Sequence, residues 1–244
     1  MNIHAIIAAR MHSERMYGKP MKLIQNKPII EHVIDRLNSS KIIDRTILAI
    51  SEKEENNVFV DFANENNLKF VRGDDEDVLG RIFKAAKKFN SDHIVRVTSE
   101  NPLIYVDVID DLIKFHIDNK CDFTYLDNLP IGCIVEVISF DALKKSYDLG
   151  NEKHHSELVT LFINENSHLF KIRSFDVDTY LQRQNYRLTV DTFDDLKLMR
   201  IIYENFYEEN SIVKLKDVIG FLENNPKLLE INMNVPKGDS RIWE

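Results

Sequence analysis

Two hydrophobic periods alternate along most of the chain. Residues 3–7 are a short apolar, β-branched run of the kind that forms a buried strand in a parallel sheet, and a polar segment from Ala8 to Pro20 follows it. Pro28 stands where a first helical turn favours proline, and Ile29, Ile30, Val33, Ile34 and Leu37 recur on one helical face. This predicts a helix closing a strand–loop–helix unit. The alternation then repeats: strands over 45–50, 68–71 and 94–97, and helices over 53–67, 78–89 and 107–119. Strands spaced by such helices indicate right-handed crossovers and an α/β fold, a doubly wound, mostly parallel sheet whose ligands bind at the carboxyl ends of the strands.

Beyond residue 120 the pattern changes. Strands are predicted over 122–126, 134–138 and 170–173, a turn over 128–132, and helices over 140–148 and 154–165. The expected arrangement is a single domain, 1–244, with a small lobe inserted at 122–183. Residues 186–190 read as a strand returning to the core. Thr192 is a candidate N-cap for an amphipathic helix through Leu196, Leu198, Met199, Ile202 and Tyr203. A helix over 214–223 and a polar tail ending in Arg241, Ile242, Trp243 and Glu244 complete the chain without readable chemistry.

Composition narrows the classes. A chain of 244 residues buries enough core to need no staples, and its two cysteines, Cys121 and Cys133, lack any pairing or metal-ligand spacing. The first apolar run is too short for a signal peptide, and no stretch approaches the length of a membrane span. A net charge of −8 disfavours nucleic acid and anionic membranes as partners. These features point to a cytoplasmic protein with small-molecule partners.

Against that acidic balance, the loop after the first strand concentrates Arg10, Arg15 and Lys19 around Ser13 and Gly18. Guanidinium forks and a lysine point charge, with backbone N–H groups, suit a polyphosphate; the alternative is a solvated basic loop. No Walker motif is present. Glu100 follows the strand at 94–97 and Asp191 follows the one at 186–190, so two strand-end carboxylates can converge on one divalent cation, although Glu100 also suits a helix cap or a solvated position. Glu136 interrupts an apolar strand, which marks either a ligand-facing group or a strand with one wet face. His154, His155 and Glu157 resemble a metal cluster but fit an exposed helix start better, and Asp176 with Asp178 forms a D-x-D of the glycosyltransferase kind.

Four motifs in order resemble one family: Ala-Arg-Met-x-Ser-x-Arg-x-x-Gly-Lys at 9–19, Asp-Val-Leu-Gly-Arg at 77–81, Arg-Val-Thr-x-acid-x-Pro-Leu-Ile at 96–104, and Thr-Val-Asp-Thr-x-x-Asp at 189–195. They are similar to the acylneuraminate cytidylyltransferase superfamily, in its spore-coat polysaccharide branch. The resemblance implies a Rossmann-like nucleotide-diphospho-sugar transferase fold and transfer of CMP from CTP to an acidic sugar or related acceptor, with release of pyrophosphate. It further implies Mg²⁺ as cofactor and a homodimer. By position it assigns Ala8, Arg10, Ser13, Arg15, Lys19 and Arg81 to the nucleotide, with Arg10 and Lys19 also stabilising charge during transfer. It places Glu136 at the acceptor, and Glu100 and Asp191 on the metal. Three departures stand out: Glu100 where the family usually has Asp, Ile134 where it has an acid, and Ser156 and Leu158 where it has Arg and His. The lobe changes predict an acceptor unlike that of the commoner members, in the direction of a more apolar or smaller group. The competing classes are a glycosyltransferase using Asp176 and Asp178, and a non-catalytic nucleotide- or sugar-binding relative.

Overall fold

The computed structural model describes residues 1–236; the tail motif at 241–244 lies outside them. Its elements in chain order are β1 (Ile3–Ala9), β2 (Leu23–Ile24), β3 (Lys27–Pro28), α1 (Ile29–Leu37), β4 (Arg45–Ser51), α2 (Asn57–Glu65), β5 (Lys69–Gly73), α3 (Val78–Lys88) and β6 (His93–Thr98). There follow α4 (Ile109–Asp118), β7 (Phe123–Leu126), β8 (Glu136–Ser139), α5 (Phe140–Leu149), α6 (Leu161–Glu165), β9 (Ile172–Phe175), α7 (Phe193–Phe206) and α8 (Leu215–Asn224).

Seven strands form one sheet in the order β5-β4-β1-β6-β8-β7-β9. Parallel pairs join β5, β4, β1 and β6, while β8 pairs antiparallel with both β6 and β7, and β9 is parallel to β7. Residues 122–183 therefore extend the central sheet itself, through β7, β8 and β9, with α5 and α6 packed beside them.

β1 is apolar throughout because both its faces are covered. Side chains alternate across a strand, so Ile3, Ala5, Ile7 and Ala9 join the core beneath α1, α2, α4, α7 and α8. Ile6 turns the other way, toward Leu79, Ile82 and Phe83 of α3 and the apolar side of α5 and α6. The chain leaves β1 toward β4 and β5 and then returns to β6 on the opposite flank. This reversal opens a crevice beyond the carboxyl ends of β1 and β6, where open α/β sheets bind ligands.

Two expected elements differ. Of the helix expected over 154–165 only Leu161–Glu165 forms, as α6, while residues 154–160 run as turns and bends. Residues 186–190 run extended but make only an isolated bridge, Ile131 to Arg187, instead of a strand. That contact depends on Gly132: at φ 95° it adopts a conformation side chains disfavour, and a Cβ there would lie 2.5 Å from the Thr189 nitrogen.

Candidate active site

The crevice is a cleft of about 500 Å³ floored by Ala8, Thr98, Ser99 and Glu100 and walled by the loop after β1. A hydrogen bond from Gly18 N–H to the Met11 carbonyl (2.8 Å) closes that loop, and the buried Asn56 side chain receives the Met11 N–H (2.7 Å). Gly18, at φ 69°, turns the chain into a short 3₁₀ segment, Lys19–Met21, which drives Lys19 inward to 7% exposure. A lysine this buried needs a partner, and Asp191 supplies it: Nζ lies 2.7 Å from Asp191 Oδ1.

Asp191 carries two further cations. Arg15 reaches the same oxygen at 3.1 Å, and Arg187 donates to Oδ2 at 2.8 Å. Burial pushes the Asp191 carboxyl up, but the Lys19 hydrogen bond and the charges of Lys19, Arg15 and Arg187 together hold it below its ordinary value. Val190 N–H donates to the Glu100 carbonyl (3.2 Å), which brings the segment ending in Asp191 against the end of β6. Glu100 accepts from the Ser99 hydroxyl at 3.1 Å; burial, and then the Asp191 charge, raise its carboxyl above the usual range. The two carboxylates are thus electrostatic neighbours.

Arg10 spans the cleft mouth. It donates to the Asp75 carbonyl (3.4 Å) and lies 3.2 Å from Glu157 and 3.8 Å from Glu76. Arg81, on α3, is fully buried and donates from one terminal nitrogen to the Asp74 and Asp75 carbonyls at 2.6 and 2.7 Å. Arg81 also lines the cleft, as do Ser13 and Arg15.

Glu136 stands apart from these groups. It sits opposite Arg96 in the β6–β8 register, 3% exposed, with its carboxylate 3.2 Å from the Arg96 guanidinium. The acid in an apolar strand is explained by this cross-strand pair. It is Arg96, also donating to the Glu157 carbonyl (3.3 Å), that reaches the cleft wall.

The histidine pair is neither a metal cluster nor an exposed helix start. His154 is 5% exposed; its Nδ1 accepts the Asn151 N–H and its Nε2 meets Glu165, both at 2.9 Å. His155 lies 2.9 Å from Asp77, whose other oxygen caps α3 by accepting the Gly80 N–H (2.6 Å). These bonds tie residues 151–157 to the α3 loop and take the place of the expected helix. Asp178 accepts the Tyr180 N–H at 2.9 Å, and neither it nor Asp176 lines the cleft.

Sequence reasoning gave no site role to Arg187, Asp195 or Arg96, although the last two stand in the quoted motifs, and it read Glu157 only as part of the histidine cluster. The first two lie four residues to either side of Asp191, a spacing that signals contact only on a helix, and Arg187 lies on an extended stretch. Among the described residues, no cluster of three or more His, Cys, Asp or Glu side chains is arranged to hold a metal. Glu100 and Asp191 are the donor set that a hard cation such as Mg²⁺ would use, one or two carboxylates with water and substrate phosphate at the other positions, but Asp191 Oδ1 is held here by Lys19 and Arg15 and would have to exchange them.

The fold is a doubly wound α/β sheet with a cation-lined cleft at its reversal point. The chain belongs to the cytidylyltransferase family, whose sequence profile matches residues 4–228. The spore coat polysaccharide biosynthesis protein SpsF of Bacillus subtilis is 28% identical over 229 residues, 91% of this chain and 94% of that protein. The structure of a cytidylyltransferase from Leptospira borgpetersenii is similar with a TM-score of 0.86 at 24% identity, covering 98% of this chain and 99% of that one. CMP:2-keto-3-deoxy-manno-octonic acid synthetase in complex with CTP is similar with a TM-score of 0.66 at 17% identity, covering 84% and 99%. At these identities the two structures establish the fold. Among the described residues, no helix is long and apolar enough to cross a membrane.

Proposed function

We propose that the protein transfers CMP from CTP to an acidic sugar or related small acceptor, releasing pyrophosphate. The observation that carries this reading is the meeting of Lys19 and Arg15, from the loop after β1, with Asp191 beside Glu100 at the sheet's reversal point. In this reading an acceptor oxygen attacks the α-phosphorus, and the bond to the bridging oxygen of the β-phosphate breaks, so that pyrophosphate leaves with that oxygen. Arg10, Ser13, Arg15, Lys19 and Arg81, with the backbone at Ala8, hold the triphosphate. Lys19 and Arg10 offset charge on the leaving group, which is most of what such a transfer asks of a protein. Glu100 and Asp191 would hold Mg²⁺, which would supply Lewis-acid charge neutralisation at the phosphates.

Arg96 presents a cation to the acceptor side of the cleft, with Glu136 beneath it as its counter-ion. Residues 122–183 supply acceptor and homodimer contacts, and the protein works in the cytoplasm. The test is pyrophosphate release with Mg²⁺, offering CTP, UTP, ATP and GTP in turn against a panel of acidic sugars, sugar phosphates and phosphonates. Release restricted to CTP and to one acceptor is the expected result. CTP binding without turnover across the panel would favour the binding-only relative, and release with UTP or GTP in place of CTP would overturn the base assignment.

A further inference from the structure

Arg187 is 7% exposed and joins two carboxylates. Its Nε donates to Asp195 Oδ1 at 2.9 Å, and its Nη2 donates to Asp195 Oδ2 at 3.1 Å and to Asp191 Oδ2 at 2.8 Å. The guanidinium is not free to swing, because Asp195 is itself fixed. At 1% exposure, Asp195 accepts the N–H groups of Asp191 and Thr192 at 3.0 Å each, the Thr192 hydroxyl at 3.1 Å and the Asn232 amide at 2.8 Å. The Asn232 amide also donates to the Arg187 carbonyl, which anchors the arginine's backbone.

The two oxygens of Asp191 are therefore engaged by different parts of the molecule. Oδ2 faces a rigid, buried fork. Oδ1 faces Lys19 and Arg15, on the loop whose side chains line the cleft. Nothing in the phosphate-binding assignment requires Arg187, which does not line the cleft. Its geometry serves the carboxylate alone: a planar fork that grips Asp195 with two nitrogens fixes where its outer nitrogen points.

We propose that Arg187 is a positioning residue for Asp191: it keeps Oδ2 occupied and turns Oδ1 alone toward the phosphate loop and the divalent cation that accompanies the nucleotide. This rests on the nucleotidyl-transfer reading above. Residues that orient a metal-binding carboxylate without touching the metal commonly matter nearly as much as the ligand itself.

The test measures binding, with Mn²⁺ as the probe, followed by the electron paramagnetic resonance of the free ion in the presence of saturating CTP. CTP affinity is measured separately by calorimetry in EDTA. Arg187→Lys keeps the charge but cannot grip both carboxylates. Arg187→Met combined with Asp195→Asn removes the two buried charges together, so that neither is left uncompensated. Both variants are expected to weaken Mn²⁺ binding by about 10–100-fold, while metal-free CTP affinity stays within about twofold of the parent. Unchanged Mn²⁺ affinity, or equal losses of Mn²⁺ and metal-free CTP affinity, would overturn the positioning role. An unmodified protein that fails to bind CTP would instead sink the nucleotidyl-transfer reading, and the positioning role with it.

Discussion

Lys19→Ala separates a phosphate-holding lysine from an ordinary loop cation. Lys19 is 7% exposed and bonded to Asp191 at 2.7 Å, so its ammonium works where water screens it poorly. A hydrogen bond between charged groups in such a setting contributes about 1.5–3 kcal/mol, which corresponds to roughly 10–150-fold in CTP affinity. The loss is a net figure, because Lys19 must leave Asp191 to reach a phosphate. Arg15 makes the useful contrast: it touches the same oxygen, but its side chain is 44% exposed. An exposed pair contributes about 0–1 kcal/mol, so Arg15→Ala should cost less than about fivefold. Asp191 keeps Arg187 in both variants, and the fold should survive. Titration calorimetry with CTP and Mg²⁺, alongside a thermal melt of each variant, measures both quantities. CTP affinity within twofold of the parent in Lys19→Ala, or equal losses in the two variants, would refute the reasoning.

Gly132→Ala places a Cβ 2.5 Å from the Thr189 nitrogen in a backbone at φ 95°. It should destabilise the protein by about 1–3 kcal/mol, seen as a lower melting temperature, and weaken CTP binding as the Asp191 segment shifts. Arg96→Met leaves the buried Glu136 without its counter-ion and should cost about 3–5 kcal/mol, whereas Arg96→Met with Glu136→Leu should be near neutral in a chemical denaturation series. His116 is buried against the Thr124 hydroxyl and the His93 ring, and burial pushes it down to about 3. In the unfolded chain it takes up a proton below about 6.5, so this contribution is whole above that pH and is lost as pH falls toward 3. Linkage gives a loss of about 2.5 kcal/mol between pH 6 and pH 4, which should vanish from the difference between parent and His116→Met; equal slopes for the two would refute it.

The sheet was legible where a strand's environment is uniform. β1, β4 and β6 are buried on both faces, and their apolar runs announce it. The loop after β1 and Glu100 were legible because strand ends in a doubly wound sheet share one edge; Asp191 meets Lys19 and Arg15 there from the end of an extended stretch that pairs only through the Ile131–Arg187 bridge, not from the strand expected over 186–190. Pairing partners outside that rule left no local trace. Glu136 looks anomalous until Arg96 is placed opposite it across β6 and β8, and an antiparallel β8 between β6 and β7 is not written in either strand's period. Residues 151–160 carry no helix-breaking proline or internal glycine. What keeps them out of a helix is tertiary: His154 bonds to Glu165 and His155 to Asp77, and a continuous helix would not reach both. The extended stretch at 186–190 needs the left-handed turn of Gly132, and the sequence shows that glycine without showing what it faces.

The charge pattern of the cleft follows from the same constraints. In the proposed reading a chain of net charge −8 binds a polyphosphate and cannot depend on long-range attraction, since fields fade over about 8–10 Å at ordinary salt. The attraction has to be local, which means cations gathered in a poorly screened cleft. Cations gathered without partners would repel one another and lose hydration. Here each is already matched: Lys19 and Arg15 to Asp191, Arg10 to Glu76 and Glu157, Arg96 to Glu136, and Arg81 to two backbone carbonyls. The matching differs in a way that sorts the residues by role. The Arg187–Asp195 pair is buried and shapes the site, and Arg81 is fixed by two backbone carbonyls, whereas Glu76 and Glu157 are exposed and hold Arg10 only loosely. Lys19 lies between these extremes, buried but bonded to one oxygen of a carboxylate whose other oxygen Arg187 holds. It is the cation with most to exchange when a triphosphate arrives, which is why its removal gives the sharpest test of the site.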